Sequence, residues 1–306
     1  MTNDINSLVQ NHTRDFGEQH YVYPVISRRS RGVSIGINLS PTALCNFRCV
    51  YCQVVGKKRQ AGILADIPSC DEIMPNPNRS DEIDLAVLEA ELRRTLTLAI
   101  SGELFQSGHF AKTPPPLRRV NDIAFSGNGE PTLSPQFADA VRIVISVRNE
   151  LGAFDVKPVV ITNATRFHQP DVSEALNLIT ANGGEVWAKL DAGTSALYEQ
   201  VDRSRVPFQT IIDNITEAAR RCPIVLQTLF FKMHDAVMPE TELLAYIDRL
   251  KDITQQGGQI KLVQLYTIAR ATAEIWVTPL PDGELDDFAA CIRRETGLHV
   301  ETFYNS

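Results

Sequence analysis

Short, almost continuously apolar runs alternate with amphipathic stretches along most of this chain, and that alternation constrains the fold more than any other feature. The apolar runs are 33–39, 122–126, 158–162, 185–190, 224–231 and 260–267. Each is too short for a buried helix, and apart from 33–39, where Val33, Ile35, Ile37 and Leu39 alternate with small or polar residues, they lack the apolar–polar alternation of a strand with one wet face. Such strands are buried on both faces, which is the pattern of a parallel sheet covered by helices. The intervening segments read as those helices. Over 81–100, Leu85, Leu88, Leu92, Leu96 and Ala99 recur at helical spacing, with Ser80 placed to cap the N-terminus. Further helices are expected after Ser134, with Pro135 in the first turn, and over 171–181, 195–201, 208–221 and from Pro239 to about 254, where Gly257-Gly258 ends the last. The expected fold class is therefore α/β, with six βα units. In parallel barrels ligands gather at the carboxyl ends of the strands. That rule draws together the loop after 33–39, Glu130, Asn163, Lys189 and Asp191, which are far apart in sequence.

Around this core the organisation is simple. Residues 1–32 form a lead-in in which Tyr21, Tyr23, Pro24, Val25 and Ile26 suggest a short strand or packing segment. Residues 33–267 carry the βα units. They include a long connection, 53–121, whose ends are loop-like (Pro75, Pro77, Pro114-Pro115-Pro116) and which reads as a lid, a docking segment or an ordinary insertion. After 268 the pattern changes. Trp276–Pro281 is extended, 283–296 is an amphipathic helix (Leu285, Phe288, Ala289, Ile292) stopped by Gly297, and 299–304 is a final strand. This small C-terminal α/β appendage (268–306) either closes the open side of the sheet or rests on its outside. A formal net charge of −7 gives no broad basic surface for nucleic acid. Arg28-Arg29-Ser30-Arg31 and Lys57-Lys58-Arg59 read as solvated loops flanking the first strand's loop. With no long apolar run and no signal peptide, a cytoplasmic protein without a membrane segment is expected.

The chemistry concentrates in Cys45-Asn46-Phe47-Arg48-Cys49-Val50-Tyr51-Cys52, a C-x3-C-x2-C spacing that follows the 33–39 strand and the Ser40-Pro41 turn signal. Three thiolates this close repel one another unless a soft metal centre holds them. Structural zinc asks for four protein ligands, and no fourth is nearby. A [4Fe–4S] cluster usually takes four cysteines, so three leave one iron open to a substrate or cofactor. Downstream, Ile123-Ala124-Phe125-Ser126-Gly127-Asn128-Gly129-Glu130 runs from an apolar strand into a glycine-rich turn bearing a carboxylate able to pair with a cation. Cys70, Cys222 and Cys291 are far apart and show no metal spacing, and His109, His168, His234 and His299 show none either. His234, directly after a strand end, has the best claim of the four.

Closed by Tyr51 and Cys52, the triplet C-x3-C-x-aromatic-C resembles the signature of the radical S-adenosylmethionine (radical SAM) superfamily, and Gly127-Asn128-Gly129-Glu130 resembles its GGE motif with Asn128 replacing one glycine. The resemblance covers about 33–304. It implies a (β/α)6 partial TIM barrel, one [4Fe–4S] cluster on Cys45, Cys49 and Cys52, and SAM as cofactor or co-substrate. SAM would be cleaved reductively to a 5′-deoxyadenosyl radical that abstracts hydrogen from substrate. It further implies that Glu130 and the Gly127–Gly129 backbone bind the methionyl amine and that Tyr51 packs near adenine. Thr162-Asn163 resembles a frequent T-N pair of the family and would bond the ribose or methionyl group; an Asx turn is the alternative. Lys189 and Asp191 would bind SAM's carboxylate and ribose or pair with each other, and Tyr266 would contact adenine. Gln227 and Thr228 are polar islands in the fifth strand. A reductant such as flavodoxin or ferredoxin is implied, while the substrate (small molecule, protein or RNA) is left open. The texture around Ser40-Pro41-Thr42, Pro131-Thr132-Leu133, Lys189-Leu190-Asp191-Ala192, Val201-Asp202-Arg203 and Val263-Gln264-Leu265-Tyr266 is similar to the wyosine-synthase-like branch, but no cysteine precedes Cys45, so that branch's second cluster is not expected. The rivals are an activase placing a glycyl radical on a partner enzyme, an RNA- or nucleotide-modifying enzyme, and a non-catalytic iron–sulfur or zinc protein.

Overall fold

The computed structural model describes residues 16–54 and 82–305. Cys70, the Lys57-Lys58-Arg59 cluster, the proposed cap Ser80 and much of the long connection lie outside the described residues. The chain divides into two compact units.

The first comprises the described residues of 16–42, 82–161 and 170–186. Strands β1 (Val22–Ser27) and β2 (Gly32–Ile37) pair antiparallel, so the lead-in does contribute a strand. Strands β3 (Val120–Phe125) and β4 (Lys157–Thr162) extend the order β1-β2-β3-β4 with parallel pairings. Opposite Gly36, the Tyr23 ring lies where a Cβ would sit, 2.3 Å from its nearest atom, so only glycine fits there. Helix α1 (Leu85–Ser101) buries Leu88, Leu92, Leu96 and Ala99 as expected, but its cap is Asp84, whose carboxylate accepts from the Ala86 and Val87 N–H groups. Glu91 on this helix accepts from the N–H groups of His20, Tyr21 and Val22 at 2.7–3.2 Å, which satisfies donors at the start of the edge strand. The proline-rich stretch that follows forms short 3-10 turns, among them Pro115–Leu117. Helix α2 (Phe137–Glu150) begins later than expected, beyond Pro135, because Pro131–Leu133 forms a separate 3-10 turn capped by Glu130. Helix α3 (Pro170–Ala181) follows β4.

The second unit comprises the described residues of 43–54, 162–169 and 187–305. It takes β5 (Glu185–Lys189) from Trp187 onward, with β6 (Ile224–Leu229), β8 (Ile260–Tyr266) and β10 (Val300–Phe303) in the order β5-β6-β8-β10, all parallel. The C-terminal appendage therefore adds a parallel strand beside β8. Helices α4 (Ser195–Val201), α5 (Phe208–Arg221), α6 (Glu240–Gln255) and α7 (Asp282–Thr296) complete the unit. The apolar run expected as one strand over 224–231 is broken. The chain turns at Phe230, and β7 (Phe231–Met233) pairs antiparallel with β9 (Val277–Pro279) in a separate ribbon. Continuous hydrophobicity hid this break, since both pieces are apolar. Among the described residues, no helix is long and apolar enough to cross a membrane.

One polar pair interrupts the first unit's core. Ser34 on β2 and its register partner Asp122 on β3 are both buried, and the Ser34 hydroxyl donates to the Asp122 carboxylate. Burial pushes the Asp122 carboxyl up to about 6 from the ordinary 3.8, against the opposing hydrogen bond from Ser34 and the attraction of Arg29. The folded chain then binds this proton more tightly than the unfolded chain, so the group's contribution to stability is fully present below about 4 and is lost as pH rises through 6. At neutral pH the ionised carboxylate costs on the order of 3 kcal/mol. Asp122→Asn is expected to stabilise the protein by about 1–3 kcal/mol at pH 7.5 and to confer no gain at pH 4, as measured by urea denaturation at the two pH values.

Candidate metal centre

The cysteine loop is fastened through its own backbone. Arg48 N–H donates to the Asp202 carbonyl at 2.8 Å and Val50 N–H to the Val201 carbonyl at 2.9 Å. These acceptors lie at the C-terminal end of α4, where carbonyls lack intrahelical partners. Ser204 Oγ donates to the Asn46 carbonyl at 3.0 Å, and Glu274 N–H donates to that of Val50 at 3.1 Å. Phe47 packs edge-on against Tyr198 of α4 and Tyr51 against Phe231 of β7, each pair with ring centroids 5.6 Å apart. Cys49 is buried, while Cys45 and Cys52 are half-buried.

The second unit brings Tyr51, Lys189 and Asp191 to the cysteines, as the sequence suggested. Lys189 Nζ lies 3.9 Å from Cys49 Sγ, 3.8 Å from Asp191 Oδ2 and 4.5 Å from the centre of the Tyr51 ring. The Tyr51 hydroxyl donates to Asp191 Oδ2, and Asp191 Oδ1 accepts the Leu229 N–H at 2.7 Å. Lys189 and Asp191 thus do pair, and the pair is built into the cysteine loop. Asp202, which sequence reasoning passed over as a site residue, is buried here as well. Its Oδ1 lies 3.4 Å from both Cys49 Sγ and the Tyr51 hydroxyl. In the sequence it stood out only within Val201-Asp202-Arg203, one of the stretches that carry the branch resemblance, with no role attached.

The electrostatics follow from burial. Burial pushes the Cys49 thiol up, with Lys189 opposing and Asp202 adding to the rise. Tyr51 is raised by burial and then by the neighbouring Asp191. Burial acts to lower Lys189, but Cys49, Asp191, Tyr266 and Asp202 outweigh it and hold the ammonium above its ordinary value. Burial raises Asp191 against the pull of Lys189, and burial with repulsion from Asp191 raises Asp202 to about 7. Tyr266 at the end of β8 is therefore close enough to act on both Tyr51 and Lys189.

Asn163 reaches the loop from another side. Its Nδ2 donates to Asn46 Oδ1 at 2.8 Å and points to Cys45 Sγ at 4.0 Å, while Asn46 Nδ2 donates to Thr165 Oγ1 at 2.9 Å. Asn163 Oδ1 accepts from the Thr165 N–H and hydroxyl, so the Asx turn is present and serves to aim the amide. The Thr162 hydroxyl accepts the Ala164 N–H and so supports this turn. Asn46 and Thr165 were legible in the sequence only as ordinary loop residues. His234 stacks on Trp276 at 4.6 Å.

Gly127, Asn128, Gly129 and Glu130 lie in the first unit, directly after β3. A Cβ on Gly127 would meet Asn38 Oδ1 at 2.5 Å, so the turn requires glycine there. Asn38 Oδ1 accepts the N–H groups of Ser40 and Asn128, both at 3.2 Å, a role the sequence did not reveal. Glu130 is buried, and its Oε1 accepts from the Thr132 N–H at 3.1 Å and hydroxyl at 2.6 Å.

The donor set suits a thiolate-bound cluster. Besides Lys189 and Asn163, the Phe47 N–H points to Cys45 Sγ at 3.4 Å, so polar hydrogens face sulfur where thiolates would be anionic. Among the described residues, no three His, Cys, Asp or Glu side chains converge closely enough to hold a single metal ion.

No family model matches the chain. It is 26% identical over 244 residues to a UPF0026 protein of Helicobacter pylori, an alignment that covers 79% of this chain and 60% of that protein. It is 24% identical to a protein described as GTPase Obg from Brachyspira hyodysenteriae, of which it spans 34%. Among solved structures, a radical SAM methyltransferase from Sphaerobacter thermophilus aligns over 94% of this chain and 70% of its own, with a TM-score of 0.56 and 14% identity. TYW1 with a lysine–pyruvate adduct bound aligns over 95% and 80%, with a TM-score of 0.51 and 14% identity. These likenesses show the fold, which is the radical SAM partial barrel expected from the sequence.

Removing one member of a buried ion pair strands its partner. Lys189→Met is expected to lower stability by about 3 kcal/mol in urea denaturation, and Lys189→Met with Asp191→Asn to recover at least half of that loss.

Proposed function

We propose that this chain, a member of the radical SAM superfamily, is an enzyme that holds one [4Fe–4S] cluster on Cys45, Cys49 and Cys52 and cleaves SAM reductively. The observation that carries the reading is a set of three cysteines on one fastened loop with Lys189, Asn163 and the Phe47 N–H turned toward sulfur. Held by Cys45, Cys49 and Cys52, such a cluster would supply the electron for reductive cleavage of SAM and so the means to take a hydrogen atom from substrate.

The chain's own residues do the positioning. Lys189 counters anionic charge at Cys49, and Tyr51 covers the loop while its hydroxyl anchors to Asp191. Asn46 and Asn163 hold the Cys45 end of the loop through paired amides. Among the remaining SAM contacts, the resemblance assigns the methionyl amine to Glu130 with Gly127, Asn128 and Gly129, and adenine to Tyr51 and Tyr266. Thr162 serves by shaping the turn that aims Asn163. An electron donor such as flavodoxin or ferredoxin and a reducing, cytoplasmic setting go with this chemistry.

The test is anaerobic reconstitution with iron and sulfide, followed by dithionite and SAM, with 5′-deoxyadenosine quantified by chromatography. Wild type is expected to bind about four irons per chain and to release 5′-deoxyadenosine. Cys49→Ala is expected to release none. A wild-type chain that binds zinc in place of iron, or that is iron-loaded and leaves SAM intact, would overturn the reading.

A further inference from the structure

Three polar side chains line up across adjacent strands of the second unit. Lys189 on β5 is the register partner of Gln227 on β6, and Gln227 is the register partner of Gln264 on β8. Register partners on neighbouring parallel strands project to the same face, about 4.8 Å apart. That face is the one from which Lys189 reaches Cys49 and Tyr51. The next residue along β6, Thr228, points the other way and is satisfied by the Tyr246 hydroxyl of α6 at 2.7 Å. The two polar islands of β6 thus have opposite assignments: Thr228 serves packing, and Gln227 belongs to the cysteine-loop face.

Gln227 and Gln264 are 1% and 3% exposed, and they share one hydrogen bond, Gln227 Nε2 to Gln264 Oε1 at 2.9 Å. Among the described residues neither side chain has a second hydrogen-bond partner, and the remaining amide atoms, Gln227 Oε1 and Gln264 Nε2, are not sealed from solvent. The result does not depend on how the amides are oriented. A single amide–amide bond uses one N–H and one C=O, so flipping both side chains still leaves one free carbonyl and one free NH2 group. The flanking strand positions are filled by apolar residues such as Leu226 and Leu265, so these two amides are the polar groups that β6 and β8 turn to this face. A core built for packing alone would place aliphatic residues at these two positions.

We infer that Gln227 and Gln264 form a substrate-recognition edge, specific for a planar amide group that presents an N–H beside a C=O, as in a lactam, an imide or a nucleobase edge. The acceptor of the pair takes the ligand N–H, and the donor gives to the ligand carbonyl. The inference deepens the radical SAM reading by naming the substrate class of that same site. It rests on that reading for what the ligand is used for, and on the amide pair for its binding.

The test compares 2-piperidone with N-methyl-2-piperidone, which keeps the ring and carbonyl but lacks the N–H. Binding of each to the reconstituted full-length chain is titrated by saturation-transfer NMR. 2-Piperidone is expected to bind about tenfold more tightly, the ratio worth one hydrogen bond of about 1.4 kcal/mol. Gln227→Leu with Gln264→Leu is expected to keep a native circular dichroism spectrum and lose the preference; Gln264→Met alone replaces it if the double variant does not fold. Equal affinities, no saturable binding of either compound, or a preference that survives in the folded variant would overturn the inference. SAM cleavage is measured on the same preparation. A chain that cleaves SAM without discriminating the two compounds overturns this inference alone, whereas one that discriminates them without cleaving SAM supports it and overturns the radical reading alone.

Discussion

The second unit depends on one buried cation. Lys189 lies within 4 Å of both Cys49 and Asp191 and over the ring of Tyr51, with about a fifth of its side chain exposed (20%). A carboxylate in that setting would be untenable without a partner, and a tyrosine hydroxyl would lack an acceptor. The ammonium opposes the upward push of burial on Asp191, Asp191 orders Tyr51 and the end of β6 through Leu229, and Tyr51 sits one residue before the last cysteine of the triplet. Sheet and cysteine loop are therefore joined by charge rather than by hydrophobic contact alone. The attraction is directional and local, which suits a loop that must hold its sulfurs in a fixed arrangement.

Parity along the strands does the rest. Successive residues of a strand face opposite ways, so a polar residue in an apolar strand is assigned to a face by its neighbours in register. In β6 this sends Gln227 toward the face of Lys189 and Thr228 toward Tyr246. In the first unit the same rule sets Ser34 beside Asp122, whose carboxyl burial pushes up to about 6. Two buried polar features thus have different characters: one is closed on itself, the other keeps hydrogen-bonding capacity unused.

Most of the fold was legible because strand and helix periods differ and the breakers sit where elements end. Gly257-Gly258, Pro223 and Gly297 all mark real boundaries. The division of 224–231 into β6 and β7 was not legible, since apolar residues continue through the turn at Phe230 and the partner of β7 lies far away at β9. At the cysteine loop, the cysteines, Tyr51, Lys189 and Asp191 announced themselves by motif and by charge at a strand end. Asn46 and Thr165 did not, because small polar residues in loops are indistinguishable from surface until the chain is folded, and Asp202 was marked only as part of the Val201-Asp202-Arg203 stretch, without its contact to Cys49. The inward aim of Gln227 needed the register with Lys189, which no local pattern encodes.

The backbone anchors of the cysteine loop also set an order of events during synthesis. Arg48 and Val50 find their acceptors only at Asp202 and Val201, about 150 residues later in the chain. Before that point has left the ribosome, the triplet is a tethered, solvated peptide whose sulfurs are free to turn. Closing so long a loop costs little more entropy than closing one half its length, so docking is governed by when α4 becomes available rather than by distance along the chain. About 150 residues are thus added between the triplet and its acceptors, and the arrival of one short helix ends the interval in which the thiols are open.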